Sequence, residues 1–255
     1  MPLTGAQILG ENLNYDTLHS IVENLPKKLD TDTVAGNLDM MRALSAPGVI
    51  VPILREAIER DSLRKEIADR SYRHVNHFDK IVLIDTGNSL GYRLTLHLWA
   101  PPYTEEELQD EMIHDHRFSF WSSVLVGNLV SENFTRTSDG PSFQEYRYFP
   151  EKVGLSTMSN FYEFMGETGL TTTEPATVPA GESYFLLNES IHRVLLPRTE
   201  MTCTLVLRSP RVRSYANVFN TAYPRTDTTM KNVMFTPEQL TEKISRLANR
   251  IQTAR

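Results

Sequence analysis

The sequence predicts a mainly β protein, an antiparallel barrel with helices before and after it. Three observations carry that class. Hydrophobic residues recur at helical spacing from about residue 15 to 70, at a period of two from about 80 to 220, and at helical spacing again near the end. The chain thus divides into a helical N-terminal region packed on the barrel (1–77), the barrel (78–220) and a C-terminal extension with a helix (221–255).

In the first part, "YDTLHSIVENL" repeats Leu18, Ile21 and Leu25, and Pro26 ends it. "PGVIVPILREAIERDSLRKEIADR" sets Ile50, Leu54 and Ile58 on one face and charges on the other, so it reads as one helical stretch. In "YRLTLHLWA", Tyr92, Leu94, Leu96 and Leu98 alternate with Arg93, Thr95, His97 and Trp99. "HDHRFSFWSSVLVG" reads as one strand with His114, His116, Phe118 and Phe120 on one side. The polar segment 133–143 reads as a hairpin connection and 156–180 as an insertion. "SYFLLNESIHRVL" ends one strand, turns, and returns with His192. In "TCTLVLRSP", Thr204, Val206 and Arg208 alternate with Cys203, Leu205 and Leu207. In "FTPEQLTEKISRLANRIQ", Thr236 caps a helix, Pro237 takes its first position and Gln239 completes a capping box. The Leu240, Ile244, Leu247 and Ile251 stripe of that helix is expected to dock on the barrel.

Composition excludes several classes. A net charge of −6 without a basic patch argues against nucleic-acid binding; Arg208, Arg211 and Arg213 form only a short cluster. The one cysteine, Cys203, rules out intrachain disulfides and Cys-rich zinc sites. "MPLTGAQILGENLN" has neither the basic start nor the apolar core of a signal peptide, and no apolar run has the ~20 residues of a membrane helix. A cytoplasmic protein with no membrane or nucleic-acid partner is the expectation.

Two histidines from one strand and a third from a later hairpin converge only where a sheet curls on itself. A small barrel does that, and its interior holds one ligand or metal ion. Imidazole suits iron, nickel, copper and zinc. The other reading of His114, His116 and His192 is satisfied core histidines, with Asp115 a turn or surface residue. His19, His74 and His77 default to surface or structural roles. His97, if its face points inward with Trp99, is the acid–base candidate.

The order of motifs resembles the cupin superfamily, and more closely its thiol (cysteine) dioxygenase branch. It runs His-x-His, Gly127 eleven residues on, then "PAGESYFLLNESIHRV" with one late histidine. "LTLHLWA", "IHDH", "VLVGNL", "NESIHRV" and "TLVLRSP" follow in the order of that branch, over roughly residues 78–212. The resemblance implies a cupin-type barrel, a double-stranded β-helix or jelly roll, with His114, His116 and His192 as facial ligands of one iron(II). Another divalent first-row metal suits the same donors. Phe120 stands where the general cupin motif has a glutamate, so three histidines are implied without a carboxylate.

Departures from the branch fall on its substrate apparatus. "HFDKIVL" offers Lys80 where the branch grips a carboxylate with arginine. The Ser-His-Tyr triad of the branch falls on Thr204, Val206 and Arg208, and its cross-linking cysteine on Phe120, so cysteine itself does not fit as substrate. Arg208, directed inward, suits a carboxylate or phosphate, or else pairs with a buried acid. Trp99, Phe118 and Phe120 with Thr204 and Val206 make the rest of an apolar pocket. The acidic loop "PPYTEEELQDE" reads as a lid or as a solvated turn.

The function expected is a mononuclear non-haem iron(II) oxygenase of dioxygenase type. It would act with O₂ on a small organic acid or amino-acid derivative, with His97 and Arg208 as catalytic residues and a homodimer left open. Alternatives are a non-catalytic ligand-binding cupin, or a 2-oxoglutarate oxygenase using His77 and Asp79.

Overall fold

The fold comes from a computed structural model that describes residues 13–87, 90–152, 161–222 and 233–253. The signal-peptide reading of the N-terminus and much of the C-terminal extension lie outside these residues. Four helices come first: α1 (Tyr15–Glu23), α2 (Thr31–Leu44), α3 (Pro47–Glu59) and α4 (Asp61–Ala68). The Asn14 and Asp30 side chains cap α1 and α2 by accepting from the N–H groups of Thr17 and Thr33. The stretch expected to be one helix is two, because Arg60 turns to an extended conformation (ψ 107°) between α3 and α4.

The strands follow: β1 (Tyr72–Arg73), β2 (Asp79–Asp85), β3 (Arg93–Trp99), then a short α5 (Glu105–Gln109), β4 (Ile113–His114), β5 (Phe120–Val126), β6 (Asn128–Arg136), β7 (Ser142–Tyr148), β8 (Tyr162–Thr172), β9 (Ala176–Pro179), β10 (Ser183–Leu186), β11 (Ile191–Leu195), β12 (Thr202–Arg208) and β13 (Ala216–Asn220). The last helix is α6 (Pro237–Thr253). One sheet has the order β1-β2-β3-β12-β5-β10, the other β11-β4-β13-β7-β8-β6-β9, and every pairing between these strands is antiparallel. Since β11 pairs with β6 as well as β4, the second sheet curls back on itself. The fold is the mainly β jelly-roll barrel with N-terminal helices and a C-terminal helix that the sequence predicts.

Three sequence expectations need correction. The expected strand through residues 114–126 is two strands in different sheets, β4 and β5, with an irregular turn between them. Segment 133–143 is not a hairpin connection, because β8 lies between β6 and β7 and pairs with both. The residues read as an insertion hold that strand and β9; 156–160 are outside the described residues.

The main core lies between the helices and the outer face of the first sheet. Leu83, Leu94, Leu96, Leu205 and Leu207 are fully buried there, with Leu18, Leu44 and Leu54 from the helices. Alternation of two supplies the sheet side and 3.6 the helix side, as the sequence patterns imply. Polar side chains tie the layers: Tyr15 Oη donates to Leu83 O at 2.5 Å, Trp121 Nε1 to Val34 O at 2.9 Å and Tyr92 Oη to Pro26 O at 2.6 Å. The capping box of α6 forms as expected, with reciprocal Thr236 and Gln239 bonds of 2.9 and 3.2 Å. Its Leu240, Ile244, Leu247 and Ile251 stripe is buried, mainly against α3 and α4 with a smaller contact on β5. Helices already cover the sheet there, so the stripe meets the helical layer first. Among the described residues no helix is long and apolar enough to cross a membrane.

The corner from β5 to β6 requires glycine. Gly127 has φ +73°, and a Cβ there would lie 2.5 Å from Met201 O. That turn carries the chain from the first sheet into the second, and so closes the barrel around its interior.

Candidate metal centre

A cavity of about 700 Å³ lies inside the barrel, lined from both sheets. His114 ends β4 and faces His192 of β11 as a direct cross-strand partner. His116 follows in the turn after β4. Their three candidate ligand nitrogens lie within 4.8 Å of one another, and no other group of three metal-ligating side chains is found among the described residues. His116 Nε2 and His192 Nε2 are 2.9 Å apart. Two nitrogens bound at right angles to one ion at ~2.1 Å are separated by about 3.0 Å, so that pair has the spacing of a shared metal. Nδ1 of His114 is 2.7 Å from Met112 O; donating its proton there leaves Nε2 as the free lone pair. Burial pushes all three imidazoles below their ordinary pKa, His192 down to about 3. They are neutral near pH 7, as metal ligands must be. Three convergent neutral imidazoles fit a divalent first-row metal, and iron(II) is among those they suit.

The turn that carries His116 is fixed from a distant segment. Asp115 is 2 % exposed, not a surface residue, and accepts from the Asn217 backbone N–H at 2.7 Å and from its side-chain amide at 2.6 Å. Arg213 pairs with Asp115 and donates to His116 O from Nη2 at 2.7 Å and from Nε at 3.1 Å. A residue that the sequence offers as part of a short basic cluster therefore positions a candidate ligand.

Trp99, Phe118, Phe120, Thr204, Val206 and Arg208, the pocket residues read from the sequence, all line the cavity. Phe120 packs edge-on to His116 with ring centres 5.0 Å apart. Trp99 Nε1 is buried with no hydrogen-bond partner among the described residues. His97 lines the cavity too, stacked on Phe78 at 4.3 Å, with Nε2 3.2 Å from Thr95 Oγ1. Burial, then the Lys80 charge, holds it neutral, well below its usual pKa. His74, assigned above to a surface or structural role, also lines the cavity.

Arg208 is 4 % exposed; its Nη2 donates to Gly91 O at 3.3 Å and its guanidinium lies 5.3 Å from the Phe118 ring centre. Burial first, and the nearby Arg93 charge second, lower its pKa to about 9. Sequence reasoning placed Lys80 where the branch grips a carboxylate and Arg211 in a short cluster with Arg208, but missed that these groups share one cavity with further guanidiniums. Lys80, Arg93, Arg117 and Arg211 line the same cavity. The alternation signal was present for Arg93, which shares a face with His97 and Trp99. Arg117 and Arg211 lie outside the strands, where no periodicity marks them.

His77 and Asp79 are not gathered into such a site. His77 Nε2 lies 2.6 Å from Asp110, and Asp79 accepts from Lys243 at 2.7 Å, across the sheet edge from α6. The first of these contacts, with the Thr104–Glu107 capping box, docks the acidic loop as the short helix α5.

No protein-family model matches the chain, and no curated protein matches it in sequence. Similar solved structures include the DMSP lyase DddQ from Ruegeria pomeroyi, at 13 % identity and TM-score 0.30 over 55 % of this chain and 50 % of that one. Hydroxypropylphosphonic acid epoxidase from S. wedmorenis is similar at 12 % identity and TM-score 0.32, over 69 % of this chain and 93 % of that one. A cupin-2 domain containing protein from Shewanella frigidimarina is similar at 14 % identity and TM-score 0.25, over 52 % and 79 %. The chain spans about half the length of the DMSP lyase structures it matches. Likenesses this distant carry no argument about activity, which must follow from the chain's own side chains.

Proposed function

We propose that the chain is a cupin-type metalloenzyme, an iron(II)-dependent oxygenase that acts on a small organic acid. The observation that carries this is the convergence of three neutral imidazoles on the wall of a cavity that also holds buried cations. His114, His116 and His192 would hold the metal, which when bound supplies the one-electron chemistry that O₂ needs to react with an organic molecule. Arg208 and Lys80 bind the acid group of the substrate. A guanidinium offers two parallel donors to a carboxylate, and a buried cation gains most from an anion brought to it. Trp99, Phe118, Phe120 and Val206 exclude water around the body of the substrate, and Trp99 Nε1 is a spare donor for it. His97, held neutral, is ready to accept a proton at Nε2, its Thr95-facing nitrogen.

Metal analysis followed by O₂-uptake screening over pools of small acids tests the reading. Protein purified without chelator should carry close to one first-row metal per chain, and His114→Ala, His116→Ala and His192→Ala should each lose it. Asp79→Ala should keep it, and O₂ uptake should not depend on 2-oxoglutarate. Unchanged metal content in the three histidine variants would sink the proposal.

A further inference from the structure

Among the described residues, Lys80 is the one lysine that lines the cavity. It sits on the inner face of β2, between Tyr72 of β1 and His97 of β3, its direct partners across the sheet. Both partners line the cavity too, with His74. The Lys80 side chain makes no hydrogen bond or ion pair with any described residue. Asp79, its neighbour in β2, belongs to the opposite face by alternation and accepts from Lys243 at 2.7 Å. Burial first, and then the guanidiniums of Arg93, Arg208, Arg117 and Arg211, lower the pKa of Lys80 to about 7. About half of it is then free amine at pH 7, against roughly one part in 2500 for an ordinary lysine. A desolvated lysine among other cations is the setting in which an amine becomes a nucleophile.

We propose that Lys80 captures a carbonyl group covalently, as a Schiff base, and that the small acid of this cavity is an oxo acid. This deepens the proposed function, and rests on it for placing a small acid here. A 2-oxo acid carries its carbonyl carbon one bond from the carboxylate. A lysine beside the acid group is therefore beside the electrophilic carbon as well. The amine nitrogen attacks that carbon, and the carbonyl π pair moves to oxygen. His97, neutral and directly across the register, carries the proton that nitrogen sheds to this oxygen, which makes the hydroxyl of a carbinolamine. A second proton, from solvent, lets the hydroxyl leave as water while the nitrogen lone pair closes the C=N bond. The iminium keeps its remaining N–H and the positive charge of the ammonium, so its attraction to the carboxylate persists.

Reductive trapping tests this. The protein, as purified and again after chelation, is incubated at pH 8 with cyanoborohydride and pyruvate, acetoacetate or acetone. Adducts are then located by peptide mass spectrometry. Pyruvate or acetoacetate should mark Lys80 at least tenfold faster than Lys27 and Lys65, which are exposed and lie outside the cavity. Acetone, a ketone without the carboxylate, should lose that preference. Propionate, an acid without the carbonyl, should slow the marking of Lys80 and leave Lys27 and Lys65 unaffected. Lys80→Arg and Lys80→Met should both leave the β2 peptide unmarked, while the exposed lysines react as in the parent. Labelling spread evenly over the lysines, none at Lys80, or a Lys80 adduct that acetone forms as selectively as the oxo acids would overturn the proposal. Because chelated protein is trapped as well, a selective Lys80 adduct stands even where the histidine variants disprove the metal site. Conversely, full metal content with no Lys80 adduct sinks this inference alone.

Discussion

Strand β12 has two faces that do different work. Cys203, Leu205 and Leu207 point to the helices and are fully buried in the main core. Thr204, Val206 and Arg208, one residue out of phase, line the cavity. The strand β3 beside it repeats the division, with Leu94, Leu96 and Leu98 outside and Arg93, Thr95, His97 and Trp99 inside. One face holds aliphatic groups that gain from leaving water. The other gathers charged groups and imidazoles, whose burial carries a desolvation cost. Stability is therefore drawn from the outer face, and the inner one draws on it.

The largest consequence is an acid instability that belongs to the inner face. Burial holds His74, His97, His114, His116 and His192 below their ordinary pKa, so the folded state keeps them neutral where the unfolded chain protonates them. For a depressed histidine, stability is intact above the unfolded value near 6.5 and is lost as pH falls toward the folded value, about 3 for His192. Each such group contributes at most ~1.4 kcal/mol per pH unit in that window. Lys80 extends the same sign upward, since the folded state binds fewer protons between about 7 and its unfolded value. Urea denaturation of metal-free protein should give a steep loss from pH 7 to pH 5, and His74→Phe should flatten it. Equal stability at the two pH values would contradict neutral buried imidazoles and erase the contrast between the faces.

The second consequence pits neighbours in sequence against each other. Leu205 is 0 % exposed, with Leu96 and Ser123 as its partners across the sheet. Leu205→Ala opens a void in a packed core and should cost about 2–5 kcal/mol. Val206→Ala borders a cavity that already exists, and should cost about 1 kcal/mol. Denaturant midpoints of the two variants at pH 7.5 measure this, and equal losses would mean that the inner face is packed like the outer.

This division was legible in the sequence because β3 and β12 alternate cleanly and the helices carry continuous stripes. Other features were not. The segment "YEFMGETGLTT" of β8 is largely exposed and shows no alternation. Its place between β6 and β7 depends on partners far away in the chain. The break after His114 is equally hidden, because His114, His116, Phe118 and Phe120 keep the period of a strand through it. What breaks the strand is Asp115, drawn to Asn217 about a hundred residues later. The three histidines could be named from the motif, but the pairing of Asp85 with Arg93 and of Glu151 with Arg117 and Arg211 could not, since it depends on which strands and loops meet.

The smallest expected effect tests whether the inner face is organised beyond the groups that touch a ligand. Arg213 is not proposed as a ligand; it holds the carbonyl of His116 through two nitrogens and neutralises the buried Asp115. Without it, the turn keeps its Asn217 contacts but loses the grip on the His116 carbonyl, and Asp115 loses its ion-pair partner. Groups that orient a metal ligand typically matter by 10–100-fold in affinity. Arg213→Met should therefore weaken metal binding by about that factor in a competitive chelator titration, with the histidines intact. Arg213→Lys restores the charge beside Asp115 but has no planar fork to hold one carbonyl with two nitrogens, and should recover only part of the loss. Leu207→Ala, on the outer face of β12, should lower stability while leaving metal affinity within about threefold of the parent, since sites without shared partners act independently. If Arg213→Met bound metal as tightly as the parent, His116 would be held by its strand and turn alone. If Leu207→Ala weakened metal as much as Arg213→Met, the two faces would not be separable.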